Sequence, residues 1–504
     1  MDVDVVIVGA GPTGLMLAVE LCLAGVDAAV LERHPQIREV PKAGGLSGQI
    51  VELLRYRGLL ERFEVASPAP VPALRLPFGE VHVDMTGLAE PPMHLLLLPQ
   101  PQLEGVLDEV ARELGAQIRR GHEVVGLSQD DAGVAADVRG PDGDLRVTAR
   151  YLVGCDGSRS RVRDLAGFAF PGITYPEVNR MGQTTVPEGV TVRENGDLEV
   201  AGVGEFEFGF TRTPRGVFAT GSVDPGRLGV FTSEEETADY DDDEPMTVAE
   251  LADSIHRVLG VELPLGEPTR LTRFTFHARH VERYRQGRIM LAGDAAHLFP
   301  APGVALNAGM MDSVNLAWKL AAAVQGWAPA DLLESYHDER HLAGERVLVH
   351  TRAQVALRRG HDEAAVALRE LFQELVSDDD AARRIGRMIA GTDIRYEAAN
   401  PDAHPLTGTF ALDPIGQPDA IAELPPATRG VLLDLAGRSD LREAARGWGD
   451  RMDVVTAESP DRPADALLLR PDAYIAWAAA AGEPTDDDAA GLRAALAQWF
   501  GEPG

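Results

Sequence analysis

At 504 residues the chain is long enough for two or three domains with sizeable cores, and its 45% hydrophobic content is that of a globular protein rather than a disordered one. A formal charge of −32 argues against nucleic acid and anionic membrane surfaces as partners. The only cysteines, Cys22 and Cys155, exclude a disulfide framework and a cysteine-rich metal site, and with no basic leader and no membrane-length apolar run the expected location is the cytoplasm.

The chain opens with an apolar strand, Val5 to Val8, then Gly9-Ala10-Gly11-Pro12-Thr13-Gly14, an apolar helical segment up to Gly25, a second strand from Ala28 to Leu31, and Glu32. Strand, glycine turn, helix, strand and acid in this register predict a dinucleotide site. Gly9 permits the tight turn, Gly11 lets a pyrophosphate approach the backbone, and Gly14 lets the helix pack closely on the sheet. An acid at Glu32 suits the ribose hydroxyls of FAD or NAD and disfavours the 2′-phosphate of NADP at this site.

A glycine-rich loop from Pro41 to Gln49 precedes a helix through Leu54 and Leu59. Arg55 and Arg57 near its end are expected on a solvated face or against the helix dipole. Pro99-Gln100 precedes a helix from Glu104 to Leu114, and alternation at Val124 and from Val134 to Val138 predicts a small sheet. A further strand, Tyr151 to Cys155, ends in Asp156-Gly157, followed by Arg159, Arg161 and Arg163. These arginines can hold a nucleotide phosphate at a helix start, or form a solvated basic turn.

From Pro171 to His277 helical periodicity is absent. Alternation in Glu205 to Phe210 predicts Phe206, Phe208 and Phe210 on one strand face, as a wall for a flat aromatic substrate or as plain core. Glu234 to Glu236 and Asp241 to Glu244 are expected to be a solvated acidic loop.

Arg288 to Leu320 reads strand, turn, loop, helix: an apolar run from Ile289, the turn Gly293-Asp294, a Pro/Gly-rich loop through Pro300 and Gly303, and a helix whose first turn holds Leu306 and Asn307. A helix start suits an anion or an electron-rich carbonyl, and a carboxylate at a strand end accepts sugar hydroxyls. The alternative is a buried strand-helix unit in which Asp294 only caps a turn. After helices from Asp331 to Leu375, strands at Gly430 to Asp434, Met452 to Val455 and Ala466 to Leu469 predict a separate small domain.

Taken together, the Gly9 to Gly14 turn with Glu32-Arg33, Asp156-Gly157 with Arg163, and Gly293-Asp294-Ala295-Ala296-His297 with Pro300 and Leu306-Asn307 resemble the single-component FAD-dependent aromatic hydroxylases, of para-hydroxybenzoate-hydroxylase-like fold. The resemblance is to the branch that tailors aromatic polyketides in actinomycete antibiotic pathways, and it spans the whole chain. It implies an α/β fold: a Rossmann-type FAD-binding domain (1–170 and 278–400, with a small sheet near 75–100), an inserted α+β substrate domain (171–277) and a thioredoxin-like C-terminal domain (401–504). The tail has no Cys-x-x-Cys, which excludes thiol redox chemistry there.

By position the resemblance puts Glu32 and Arg33 at the adenosine ribose, and Gly9, Gly11, Pro12, Thr13 and Gly14 at the pyrophosphate. Gly293 and Asp294 fall at the ribityl and pyrophosphate region, Gln100 near the cofactor, Val124 beside the adenine, and Pro300, Gly303, Leu306 and Asn307 beside the flavin ring. Asp156 and Gly157 are tied to FAD and to the nicotinamide donor. Two departures stand out. Pro41-Lys42 and Gln49 replace the family's Ser-Arg and the arginine ahead of the helix, and Ala301 to Ala305 is one residue shorter than the usual Pro-x-Gly-Gly-Gln-Gly.

The implied activity is a monooxygenase that uses NADPH or NADH and O2 to hydroxylate a polycyclic aromatic polyketide, as monomer or homodimer. A Baeyer–Villiger oxygenase on a polyketide ketone, a non-oxygenating dehydratase, cyclase or structural partner, and a plain dehydrogenase remain open. No catalytic side chain is identified; His277, His280 and His297 are unranked.

Overall fold

The computed structural model describes residues 2–39, 43–193, 197–207, 209–220, 226–236, 245–360, 362–398, 400–412, 424, 428–457 and 462–504. It divides into two units: Met1–Pro171 with Arg279–Ala353 and Leu371–Gly504, and Gly172–Ala278 with Gln354–Glu370.

The elements of the first unit that build its ligand end are β1 (Val5–Val8), α1 (Pro12–Leu23), β2 (Ala28–Glu32), β3 (Gln117–Arg120), β4 (Tyr151–Gly154), β5 (Ile289–Leu291), α2 (Ala305–Gln325) and α3 (Glu334–Arg358). The strands form a parallel sheet in the order β5-β4-β1-β2-β3, with Arg285–Gln286 antiparallel on the outer edge of β5. A strand covered on both faces reads as a continuous apolar run, and Val5 to Val8 are each at most 6% exposed. Because β1 lies between β2 and β4, the chain reverses its direction of winding there. The turns after β1, β4 and β5 therefore meet at one end of the sheet, where open α/β sheets bind their ligands.

An antiparallel sheet of Glu123–Gln129, Val134–Gly140 and Gly143–Ala149 follows, with Val124 buried opposite Val138. The helix expected from Glu104 begins earlier, at Gln100, because Pro99 and Pro101 suit a helix start. In the C-terminal segment, Met452–Thr456, Gly430–Asp434, Ala466–Leu469 and Ile475–Ala479 lie side by side in that order, covered by the helix Asp486–Phe500.

The second unit holds a sheet in the order Gly209–Thr213, Gly216–Thr220, Arg227–Glu235, Gly172–Thr185, Pro268–His280. The helix Val248–Leu259, capped by Thr247 and closed at Gly260, covers one face through Leu251, Ile255 and Val258.

Two expectations fail in this unit. The phenylalanines do not share a strand face: Phe206 ends the short strand Gly204–Phe206, Phe210 belongs to Gly209–Thr213 in the larger sheet, and Phe208 lies outside the described residues. Gly209, at φ +107°, interrupts the alternation. Phe206 packs on Phe218 in the core, 5.7 Å between ring centroids, while Phe210 is 40% exposed. Glu234 and Glu236 are likewise not a solvated loop. Both bind Arg180, which is fully buried and also holds Glu250 at 2.8 Å. Arg180 needs counter-charge once buried, and these acids supply it. Asp241 to Glu244 lie outside the described residues.

Candidate functional site

The turn after β1 has the backbone of a phosphate cradle. A Cβ on Gly9 would lie 2.4 Å from the Cys155 carbonyl oxygen, and one on Gly14 would lie 2.0 Å from the Gly9 carbonyl oxygen, so glycine is required at both. Gly11 has no neighbour within 4 Å of such an atom, which leaves its face open. It also begins α1, whose start carries no side-chain cap and has Pro12 in the first turn. The Thr13 and Gly14 N–H groups are thus left for a ligand, at the positive end of the helix dipole.

Glu32 leans across this turn. One of its carboxylate oxygens accepts the Ala10 N–H and the other the His34 N–H, both at 2.8 Å. Gln100 donates to Glu104 at 2.7 Å, and burial, the largest influence, raises the Glu104 pKa, with Glu32 adding to it. Arg33 is exposed and its guanidinium donates to the His34 ring at 3.3 Å.

Asp156 is spent locally. It accepts from Ser160 Oγ and from the Arg161 and Val162 N–H groups, capping the helix Arg161–Ala166, while burial raises its pKa. Gly157 sits in the left-handed region at φ +84° with open space around it. The three arginines separate in role. Arg159 and Arg161 are exposed, whereas Arg163 is buried, donates to the carbonyls of Ser158 and Ala295, and lies 4.0 Å over the Phe170 ring. Arg163 therefore ties the Asp156 cap to the turn after β5.

In that turn Asp294 is exposed, while Gly293 is pressed between Thr13 and Gly309. The Gly293 N–H donates to Asp312, which the sequence reading missed. Asp312 is fully buried and also accepts from His297 Nε2 at 2.8 Å and Arg340 Nε at 2.7 Å. Burial works to raise its pKa, but Arg340 and then His297 outweigh this and hold it below the ordinary carboxylate value. His297 Nδ1 has no partner among the described residues, and its ring stacks on Phe299 at 4.4 Å. His280, stacked on His341 at 4.3 Å, is lowered to about 3 by burial, then by His297 and His341. It stays neutral at ordinary pH.

Pro300 is buried, Gly303 is exposed, and α2 starts at Ala305 with no side-chain cap, so Leu306 and Asn307 lie in its first turn. The Asn307 side chain is committed to the protein: it accepts the Ser47 N–H and donates to Ser47 Oγ, each at 2.9 Å, and to the Gly303 carbonyl at 2.8 Å. Only the backbone of this helix start is left to face a ligand.

Gln49, where the resemblance implies an arginine at the cofactor, is buried and donates to Tyr474 Oη. Arg57 is not solvated. It is buried, paired with Glu20 at 2.9 Å, and donates to the Pro471 carbonyl. One signal for these buried groups was in the sequence: Asp312, Asn315 and Lys319 recur at helical spacing in an otherwise apolar helix. Lys319 and Asn315 bind Glu339, and Glu339 and Asp472 bind Arg470.

Cα register and burial also fix the faces of the second unit's sheet. Leu228, Val230, Thr232 and Glu234 are buried toward the covering helix, and Gly229, Phe231 and Ser233 alternate to the other face. Phe231 lies opposite Met181 and Ala219, and Ala219 opposite Phe210, so these share the face away from the covering helix. Leu271 and Arg273 meet the covering helix, which places Phe274 and Phe276 on the opposite face as well, 5.3 Å apart, with Arg358 over the Phe276 ring.

A required glycine turn, two uncapped helix starts, a carboxylate oriented over the turn and an exposed acid after β5 fit an extended dinucleotide such as FAD. Among the described residues no group of three or more His, Cys, Asp or Glu can hold a metal ion, and no helix is long and apolar enough to cross a membrane.

Comparison with known proteins agrees. Residues 2–351 match the family described as FAD binding domain, and residues 404–503 the family described as aromatic-ring hydroxylase, C-terminal. The chain is 38% identical over 515 residues to a 12-dehydrotetracycline 5-monooxygenase/anhydrotetracycline 6-monooxygenase of Streptomyces rimosus, covering 100% of both. It is 39% identical over 513 residues to a dialkyldecalin synthase of Streptomyces rugosporus, covering 99% of each. The crystal structure of an aromatic hydroxylase from angucycline biosynthesis superposes with a TM-score of 0.85 at 36% identity, covering 100% of both chains. The chain belongs to the FAD-dependent aromatic-ring hydroxylases, and is a flavoprotein monooxygenase with FAD as cofactor and NAD(P)H and O2 as co-substrates.

Proposed function

We propose that this enzyme hydroxylates a polycyclic aromatic polyketide intermediate in the biosynthesis of an antibiotic-type secondary metabolite, in the cytoplasm. FAD, when bound, would supply redox and oxygen-transfer chemistry, with NADPH or NADH as reductant and O2 giving one atom to the substrate and the other to water. The protein binds, orients and shields. Glu32 takes the adenosine ribose, with Arg33, Gln100 and Val124 bordering that end, and the amides of Thr13 and Gly14 take the pyrophosphate. Asp294 accepts ribityl hydroxyls. Asp156, with Gly157, acts through position, by fixing the helix that Arg163 ties to the Asp294 turn. Beyond Pro300 and Gly303, the start of α2 at Leu306–Asn307 favours negative charge on the flavin ring.

One observation carries the polycyclic part of the reading: the face of the second unit's sheet away from the covering helix holds Phe210, Phe231, Phe274, Phe276 and Met181, of which Phe210 is 40% exposed, the others are half-buried and Phe276 lies under Arg358. A flat aromatic ligand matches such a surface in shape and chemistry. This unit is therefore the substrate domain, and the segment from 401 a thioredoxin-like domain without thiol chemistry.

The test is an anaerobic spectrum of the holoenzyme with NADPH or NADH, with and without a dihydroxyanthraquinone, followed by 18O2. Bleached flavin and a product carrying one 18O on an aromatic carbon support the reading. Label in a ring-expanded ester would mean Baeyer–Villiger chemistry. FAD that neither donor bleaches would overturn redox turnover.

A further inference from the structure

On the face of the same sheet away from the covering helix, two polar side-chain atoms lack partners among the described residues. Arg270 and Thr272 lie on the strand Pro268–His280, where Leu271 and Arg273 point to the covering helix. Alternation puts Arg270 and Thr272 on the other face, in line with Phe274 and Phe276. Arg270 Nε and Thr272 Oγ1 are both closed off from solvent, and neither has a hydrogen-bond partner among the described residues.

Other arginines of this sheet hold carboxylates, although Arg273 Nε is likewise without a hydrogen-bond partner among the described residues. Arg180 and Arg273 on the covered face bind Glu234, Glu236 and Glu250. Arg358, over the Phe276 ring at 4.6 Å, is placed by a cation–π contact. Arg270 is half-buried with no carboxylate beside it among the described residues; burial acts on its pKa and lowers it. An Nε–H closed off from water without an acceptor is unfavourable, and an anion that meets it restores the lost hydrogen bond. Its planar fork matches the two oxygens of a carboxylate, or an ionised phenol beside a carbonyl. Thr272, two residues along, adds a hydroxyl donor on the same line.

We propose that Arg270 and Thr272 form an oxyanion-reading site for the substrate, which is an aromatic polycycle bearing a carboxylate or an acidic phenol, its rings laid along Phe274 and Phe276 and its oxyanion on Arg270. The inference rests on the polycyclic aromatic reading and narrows it to acidic members of that class. It also assigns the two ends of the ligand: the acidic edge at Arg270, the apolar rings toward Phe231 and Met181.

The experiment measures binding to the FAD-loaded full-length enzyme through perturbation of the flavin visible spectrum. The probes are anthraquinone-2-carboxylate, its uncharged carboxamide, and alizarin titrated on both sides of its first phenol pKa. For Arg270→Gln, carboxylate affinity should fall about 10- to 100-fold, the range of a charge-assisted hydrogen bond, while the carboxamide changes less than about twofold. Arg270→Lys should recover part of the loss, and Thr272→Val should weaken the oxyanions alone. FAD content and Tm of each variant verify that the fold is intact.

A carboxylate effect with no change for ionised alizarin identifies a carboxylic acid substrate; an equal effect on ionised alizarin identifies an acidic phenol. Arg270→Gln protein that binds all three probes as the wild type does would overturn the site while the aromatic reading stands. Wild-type enzyme that binds neither the charged nor the neutral anthraquinone would remove both.

Discussion

Gln49 and Tyr474 are 425 positions apart in the chain, yet the Gln49 side-chain amide donates to the Tyr474 hydroxyl at 2.9 Å. Gln49 opens the helix that follows Ser47, the residue clasped by Asn307. Tyr474 stacks on Tyr396 at 4.1 Å, and Tyr396 accepts from Arg340, the partner of Asp312 behind Gly293. Two walls of the cofactor crevice are thus braced by one tyrosine pair. Removing the hydroxyl in Tyr474→Phe leaves the Gln49 amide buried and unpaired. The expected loss is about 1–3 kcal/mol in urea unfolding, and a cycle with Gln49→Met should show the two losses to be non-additive.

Gly11 and Gly14 separate folding from cofactor binding. Gly14→Ala places a methyl carbon 2.0 Å from the Gly9 carbonyl oxygen, so α1 must move off the sheet and both Tm and FAD content should fall. Gly11→Ala meets nothing in the protein within 4 Å and keeps an ordinary extended φ of −78°. Apoprotein Tm should stay within about 2 °C of wild type, because a surface change of this kind is usually within about 0.5 kcal/mol. The FAD dissociation constant, read by quenching of flavin fluorescence, should nonetheless rise at least about tenfold if the pyrophosphate approaches there.

Arg57 and Glu20 form a buried pair, and breaking it from one side leaves a charge without water or partner. Arg57→Met should destabilise the protein by about 3–5 kcal/mol. The double change Glu20→Leu with Arg57→Met should recover most of this, since apolar replacement of a whole buried pair is often neutral. Recovery absent in chemical denaturation would mean that the Arg57 bond to the Pro471 carbonyl, not the charge pair, carries the effect.

Acid stability should depend on Glu339. Burial alone would raise its pKa, but Arg470, then Lys319, hold it down to about 2, against an ordinary value of 4.5. A carboxylate depressed in the folded state stabilises that state fully above the unfolded value. The contribution is lost as pH falls from about 4.5 toward 2. Glu339→Gln should be less stable at pH 7 and show a shallower loss between those limits in pH-dependent melting.

The glycine turn, the Asp156 and Gly293 turns and the position of α2 were legible in the sequence because each is a local pattern: a backbone requirement or an apolar period within some twenty residues. The errors share another cause. For Arg57, Glu234 and Glu236 charge predicts an exposed place unless a partner arrives, and the partners arrive from afar: Glu20 from 37 positions away, and Arg180 from 54 and 56. The phenylalanine stripe failed through Gly209, which lets consecutive residues enter two different sheets. Gln49 shows a third case, in which a departure from the expected cofactor contact was visible but its new partner, near the end of the chain, was not.

The segment after residue 404 matches its own family, separately from residues 2–351. Yet Pro471, Asp472 and Arg470 reach back to Arg57, Asn315 and Glu339, all in the interior. Ala473, within that turn, holds φ +62°, the sole positive φ of a non-glycine residue among those described. Exchange of tails between relatives is therefore constrained like the exchange of a key between locks. A transplanted tail brings charges cut for one set of wards, and recombinants stay functional only where the donor's turn and the recipient's Glu20, Arg57 and Glu339 still correspond.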